Sequence, residues 1–283
     1  MWEGWPMPWL PELFSLPVVE QVREQWQRDQ IESVPYYDGL LSGEHAALIA
    51  SFAGEPELHD PLHGRIKGVR AFEAYVTATS AWFAERNVTV SDVSRASGDV
   101  RGFEEGLLHF DGESGRVDTP VAIMADHARD GRLEELRIYH STWPATARHA
   151  VRPPLLQRDP DLQAPDIVGE YMRALAAGDA DAIVATFEPD GYAREPAGGA
   201  HAHRGPDELR AFYEVLCSNA GGIPLEHCAL VDDGAVCALE YNVVRWGQTE
   251  LPPQTGVAMY ARGPNGKLAA ARMYDDVEPP MSM

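Results

Sequence analysis

Residues 36–64, YYDGLLSGEHAALIASFAGEPELHDPLHG, lie without a gap over residues 171–199, YMRALAAGDADAIVATFEPDGYAREPAGG. The matched pairs are Tyr36 and Tyr171, Gly43 and Gly178, Ala50 and Ala185, Phe52 and Phe187, Asp60 and Glu195, Pro61 and Pro196, and Gly64 and Gly199. Beyond this block the phase slips by a residue or two, as loop insertions allow. Gly68 then meets Gly205, and Phe72 and Tyr75 meet Leu209 and Phe212. VRGFEEGLLHF (100–110) meets VCALEYNVVRW (236–246), with Glu104 opposite Glu240, and RIYH (137–140) meets RMYD (272–275). The identities are sparse but keep one order throughout, so the chain is read as two tandem copies of one unit.

The copies occupy 31–143 and 166–278. Between them, 144–165 carries five prolines and few periodic apolar positions, the signature of a linker. Residues 1–30 stand outside the repeat, and Val18, Val19, Val22 and Trp26 recur there at the spacing of one amphipathic helix.

Each copy reads as helices first and strands after. In the second, Asp166 is placed to cap a helix with the inner stripe Ile167, Tyr171 and Leu175, and Gly178 is placed to end it. Asp179 or Asp181 starts a second helix through Ile183, Val184 and Phe187. A short strand at 192–195 follows, and Pro206 opens a third helix reaching about Cys217. The remainder alternates with period two over 225–231, 234–245, 254–262 and 267–276, with turns at VDDGA (231–235) and GPNGK (263–267). Helices grouped ahead of an antiparallel sheet predict an α+β domain: about three helices on a curved, mainly antiparallel sheet, with a cavity between them.

The chain has 283 residues, 45% of them hydrophobic, which suits two packed domains rather than disorder. A formal net charge of −21 makes nucleic acid and anionic membranes poor partners. Cys217, Cys228 and Cys237 are odd in number and form no CxxC pair, so they read as buried free thiols in a reducing cytoplasm. The opening MWEGWPMPWLPELF has no basic region, carries Glu3 and is broken by Pro6, Pro8 and Pro11. It is expected to be neither a signal peptide nor a spanning helix, with Trp2, Trp5 and Trp9 docking on the body of the protein.

EYMRALAAGDADAIVATFEPDGYAREPAGG followed by RGPDELRAFY resembles the opening of ketosteroid isomerase and, more widely, the NTF2-like superfamily, which includes SnoaL-like polyketide cyclases and small epoxide hydrolases. The likeness covers most of 166–277 and reaches 31–143, more weakly, through the repeat. It implies two tandem NTF2-like cone domains. It also implies that a Tyr on the first helix and an acid before a Pro share a site, here Tyr171 with Glu195 and Tyr36 with Asp60. The isomerase's second oxyanion-hole Asp falls at Ala258 in the second copy and within VAIMA (121–125) in the first, both apolar, so steroid isomerisation is not expected. Relatives often use an acid or His at the end of the last strand, which points to His140 and Asp275.

A carboxylate in an apolar cone is desolvated, so its pKa rises toward neutrality and it can serve as acid or base, while a phenol nearby can stabilise developing negative charge. The bland alternatives are a strand-end acid accepting a backbone N–H and a core Tyr on any acceptor. Glu104 and Glu240 lie mid-strand, and alternation leaves open whether they face the cavity or solvent. His63 is placed to pair with Asp60, and Phe52, Phe187 and Trp246 are candidate pocket walls. HDPLH (59–63) and AHAH (200–203) lack a partner cluster at ligand spacing, so no metal is expected. No phosphate-cradling loop and no GxSxG elbow occurs.

The expected function is cofactor-independent acid–base catalysis on a small, largely apolar or amphipathic molecule: cyclisation, isomerisation, dehydration or epoxide opening. The alternative is a non-catalytic ligand-binding or assembly module, its copies packed as an internal pseudo-dimer. A third possibility is one active and one structural copy, leaning slightly to the first, which keeps His63 and His140, histidine being the residue type suited to proton transfer near neutral pH.

Overall fold

The computed structural model describes residues 36–113 and 115–276, with backbone alone for 36–38. The helix and tryptophans expected within 1–30 lie outside the described residues, as does the Tyr36 side chain. The chain divides between Ile138 and Tyr139 into two compact units.

The first unit runs α1 (Tyr36–Ser42), α2 (His45–Ala50), β1 (Glu57–Asp60), β2 (Gly64–Lys67), α3 (Val69–Glu85), β3 (Thr89–Ser97), β4 (Arg101–Gly112), β5 (Gly115–His127) and β6 (Leu133–Tyr139). Its strands order as β2-β1-β6-β5-β4-β3, with β1 parallel to β6 and the β1–β2, β3–β4 and β4–β5 pairs antiparallel. Phe72 and Val76 of α3 pack with Leu58, Val121, Ile123 and Leu136 from the sheet. The second unit adds a short helix, α4 (Trp143–Thr146), and then α5 (Asp166–Ala177), α6 (Ala180–Ala185), β7 (Phe187–Arg194), β8 (Ala202–Arg204), α7 (Gly205–Leu216), β9 (Leu225–Asp232), β10 (Val236–Trp246), β11 (Thr249–Arg262) and β12 (Leu268–Met273). Its order, β8-β7-β12-β11-β10-β9, with only β7 and β12 parallel, reproduces the first sheet strand for strand. The fold is therefore α+β, built twice.

Local sequence accounts for the elements. The buried stripe of α5 is Val168, Tyr171, Met172 and Leu175, an i, i+3, i+4, i+7 face, and Ile167 lies partly buried beside it rather than at its centre. Asp166 begins α5 but spends its carboxylate mainly on Arg262. Asp179 caps α6 as expected, accepting from the Ala182 amide at 2.9 Å. On β10, Cys237, Leu239, Tyr241 and Val243 join the core at period two. Asp233 holds the β9–β10 turn by accepting from the amides of Ala235 and Val236. Of the three free cysteines, only Cys237 is fully buried. Among the described residues no helix is long and apolar enough to cross a membrane.

The proline-rich segment after α4 is irregular, as a linker should be, yet it is anchored along the second sheet. Thr255 donates its amide to Arg152 O, Asp159 to His227 O, and Asn242 Nδ2 to Leu156 O. It belongs to the second unit.

Gly178 terminates α5 in the left-handed region, φ 72°, and a Cβ there would stand 2.7 Å from the backbone of Gly221 and Gly222. Gly43, its repeat partner, has φ 75° with nothing nearer than 4.0 Å. Both Ala variants carry the left-handed penalty of about 1–2 kcal/mol. Gly178→Ala alone adds an overpacking cost of roughly 1–3 kcal/mol, so urea denaturation should show it clearly less stable than Gly43→Ala.

Candidate functional site

The second domain holds a cavity of about 210 Å³. Its apolar wall comes from Leu175 of α5, Phe212 and Leu216 of α7, Val243 and Trp246 of β10 and Met273 of β12, with Ile223 and Leu225. Trp246 is fixed by Nε1 donating to Leu216 O at 2.7 Å. Tyr171, Tyr241 and Tyr260 also line it, with Glu195, Asp275, Asp276 and His149. Tyr241 reaches inward because its cross-strand neighbour is Gly256, where an added Cβ would stand 2.4 Å from the ring.

Asp275 lies two residues beyond β12, and its side chain is only 4% exposed. Burial pushes its carboxyl up to about 7. Arg152, with Nη2 at 3.1 and 3.3 Å from the two oxygens, pulls the other way, and Asp276 and Glu240 add to the rise. Asp276, also buried, goes the opposite direction. Burial alone would raise it, but His149, Ser141 and the amides of Ala150 and Thr142 hold it below the usual carboxylate range. Two consecutive acids are thus pushed apart by their surroundings.

The buried phenols keep their protons. Tyr171 and Tyr213 share a hydroxyl–hydroxyl contact of 2.9 Å. Burial drives Tyr171 up to about 12 and raises Tyr213, Tyr241 and Tyr260 well above the ordinary phenol value, so none ionises at neutral pH.

Glu195 lines the cavity from a more open position, 38% exposed, with Oε1 2.8 Å from His203 Nε2. The His203 ring stacks on Phe212 at 4.2 Å and 11°. Tyr171, expected to pair with Glu195, is instead bonded to Tyr213. Phe187 is buried in the core and contacts Tyr171 edge-on, behind the wall rather than in it.

Glu240 does not face the cavity. It alternates with the core residues Leu239 and Tyr241, and takes a hydrogen bond from Tyr139 on the other face of β10. Glu104 shares the inner face of β4 with Leu108 and Phe110, opposite Ile123. The residue sharing Glu240's outward orientation is Glu105, which accepts from Ser94 Oγ. The sequence pairing of Glu104 with Glu240 was out by one residue, and a one-residue slip in a strand reverses the face.

Asp60 is buried in the first domain as the acceptor that closes the turn after β1. Its Oδ1 takes the amides of Leu62 and His63 and meets His63 Nδ1, each at 2.8 Å, while Oδ2 accepts from Tyr75 Oη at 3.1 Å. The Tyr bonded to it therefore sits on α3. Phe52 is core, packed edge-on against Phe72 at 5.3 Å. His140 lies in the second unit, with Nδ1 3.2 Å from Ser141 O, and is not among the cavity-lining residues.

Glu57, His59 and Glu135 are near enough to share a cation, but Arg65 and Lys67 already bind Glu57 at 2.6 Å each and Arg137 binds Glu135 at 2.9 Å. That charge balance suits an ion-pair network rather than a metal centre.

Sequence reasoning missed His149, Arg152 and Asp276. The first two lie in the segment set aside as a linker, where periodicity carries no information. Asp276 could have been noticed as a second acid beside Asp275.

Residues 168–271 match the family model of the SnoaL-like domain. Comparison with curated proteins gives no match. Among solved structures, the chain is similar to a candidate polyketide cyclase from Sinorhizobium meliloti, 23% identical over 39% of this chain and 94% of that one, TM-score 0.33. It is similar to SalBIII, an epoxide hydrolase/cyclase-like enzyme in pyran ring formation in the polyether salinomycin, 13% identical over 42% and 89%, TM-score 0.32. A SnoaL-like protein of unknown function from Burkholderia thailandensis E264 is 18% identical over 37% and 87%, TM-score 0.32. Residues 168–271 are a SnoaL-like domain, and the first domain is a second copy of its strand topology.

Proposed function

We propose that the second domain is a cofactor-independent acid–base enzyme acting on a small, largely apolar molecule, with Asp275 as the group that moves the proton. The observation carrying this reading is a buried carboxyl, raised to about 7, lining an apolar cavity. Such a group is present at neutral pH in both forms, which is where general acid–base catalysis is most efficient. Protonated, Asp275 can give its proton to an ether, epoxide or hydroxyl oxygen; ionised, it can take one from carbon beside a carbonyl. The un-ionised tyrosine hydroxyls supply donors for an oxygen gaining negative charge. Cyclisation, isomerisation, dehydration and epoxide opening all fit this equipment.

Arg152 favours a second reading. Its contact with both Asp275 oxygens would make the acid the counter-ion of an anchored segment, and the cavity a ligand-binding site without chemistry.

Turnover screens against epoxides, lactones and β-hydroxycarbonyl compounds separate the two. On the enzymatic reading, Asp275→Asn lowers kcat by about 100-fold or more while ligand binding is retained. Unchanged turnover in Asp275→Asn would refute the role, and ligand binding with no turnover in the native protein would favour the second reading. The pH–rate profile of the native enzyme should show a limb near 7 that is absent in the variant.

Stability gives an independent check. The folded Asp275 binds its proton more tightly than the unfolded carboxyl, so stability falls as pH rises from about 4, the unfolded value, to about 7. Asp275→Asn should flatten that decline by a few kcal/mol in denaturant titrations run across the range.

A further inference from the structure

His149 and Asp276 form a dyad at this cavity that the proposed mechanism leaves unused. His149 lines the cavity with its side chain 44% exposed, and its Nδ1 lies 3.0 Å from Asp276 Oδ1. The imidazole plane is set on its other side by Trp143, stacked at 4.7 Å and 22°. Asp276 is buried and surrounded by donors. Its Oδ2 accepts from the amides of Thr142 at 3.0 Å and Ala150 at 2.8 Å, while Oδ1 accepts from Ser141 Oγ. Ser141 Oγ in turn accepts from the Trp143 amide at 3.0 Å, which directs its own proton toward Asp276.

This pattern fixes the tautomer. With both oxygens accepting from N–H and O–H groups, Asp276 is a carboxylate and has no proton to donate. The contact with His149 must then be Nδ1–H donating to Oδ1, which in the neutral ring leaves the Nε2 lone pair as an acceptor, with no hydrogen-bond partner among the described residues. A carboxylate behind an imidazole both orients the ring and stabilises the imidazolium that forms when the ring takes a proton.

We infer that His149 is a second proton-transfer residue of the cavity and that Asp276 positions it, so that the segment joining the two copies supplies half of the acid–base machinery. The inference rests on the acid–base reading of the cavity given above. The step balances: His149 Nε2 takes a proton from substrate or a bound water, Asp275 in its acid form gives one to the oxygen that receives it, and the substrate's charge is unchanged. The enzyme is left as imidazolium and carboxylate. The half-exposed His149 returns its proton to water, and water reprotonates Asp275.

A merely structural dyad would tie residues 141–150 to the end of β12, a task that Ser141, Thr142 and the Ala150 amide perform without an imidazole. Two readouts distinguish the roles. Heteronuclear NMR of the isotope-labelled full chain, with His149 assigned from the signal missing in His149→Gln, should find the neutral Nδ1–H tautomer. Asp276→Asn should move it toward Nε2–H. An Nε2–H tautomer in the native protein, or no change in Asp276→Asn, overturns the positioning role. With a substrate turned over by the native enzyme, His149→Gln should lower kcat by about 100-fold with little change in KM, and added imidazole should restore part of the activity of His149→Ala. Should Asp276→Asn fail to fold, these His149 variants at a half-exposed site still decide. Full activity in His149→Gln beside an inactive Asp275→Asn would overturn this inference and leave the proposed function standing. Full activity in Asp275→Asn beside an inactive His149→Gln would overturn the role given to Asp275 and leave His149 as the proton-transfer residue of the cavity.

Discussion

Asp275 and Asp276 are consecutive carboxylates buried together at the end of β12, and burying two charges side by side is costly. The second domain resolves this by treating them differently. Asp276 receives a nearly full complement of donors and stays ionised. Asp275 receives one guanidinium against an apolar wall, and burial prevails. Neighbouring acids driven apart in this way are how a site obtains a fixed charge and a mobile proton from the same residue type. The features around the cavity follow from that division: phenols too buried to ionise, an imidazole oriented by the fixed charge, and a proline-rich segment pinned so that Arg152 and His149 arrive in place.

The two copies share their architecture and differ in the surroundings of the matching acid. Both copies place an acid before a proline at the end of their first strand. In the first copy Asp60 is consumed by the turn it closes, with His63 and Tyr75 completing its shell. In the second, Glu195 is longer by one methylene and reaches the cavity margin, where His203 holds it. The shared position is thus a geometric feature of the fold, a strand end facing the third helix, on which function is optional.

Much of the fold was legible in the sequence because it depends on local rules. Gly178 and Asp179 punctuate helices by conformation and capping, the α7 face repeats every three or four residues, and the strands of the second copy alternate. The face of Glu240 was not legible, because alternation alone does not say which side of β10 packs on the core; it is Leu239, Tyr241 and Val243 that do. The site was legible only where the chain had an element to read. Asp275, Tyr171, Glu195 and Trp246 sit on or beside regular structure, and all four line the cavity. His149 and Arg152 sit in irregular chain, whose path is set by hydrogen bonds to β11 and to Asp276 rather than by any pattern of its own.

The most direct measurement is the titration of the Asp275 and Asp276 side-chain carboxyls by carbon-detected NMR, assigned with the single Asn variants. The account requires Asp275 to titrate near 7, with Asp276 below the ordinary range. An Asp275 that titrates with the surface carboxylates, near about 4, would mean that Arg152 outweighs burial and that the cavity holds an ion pair rather than a proton donor.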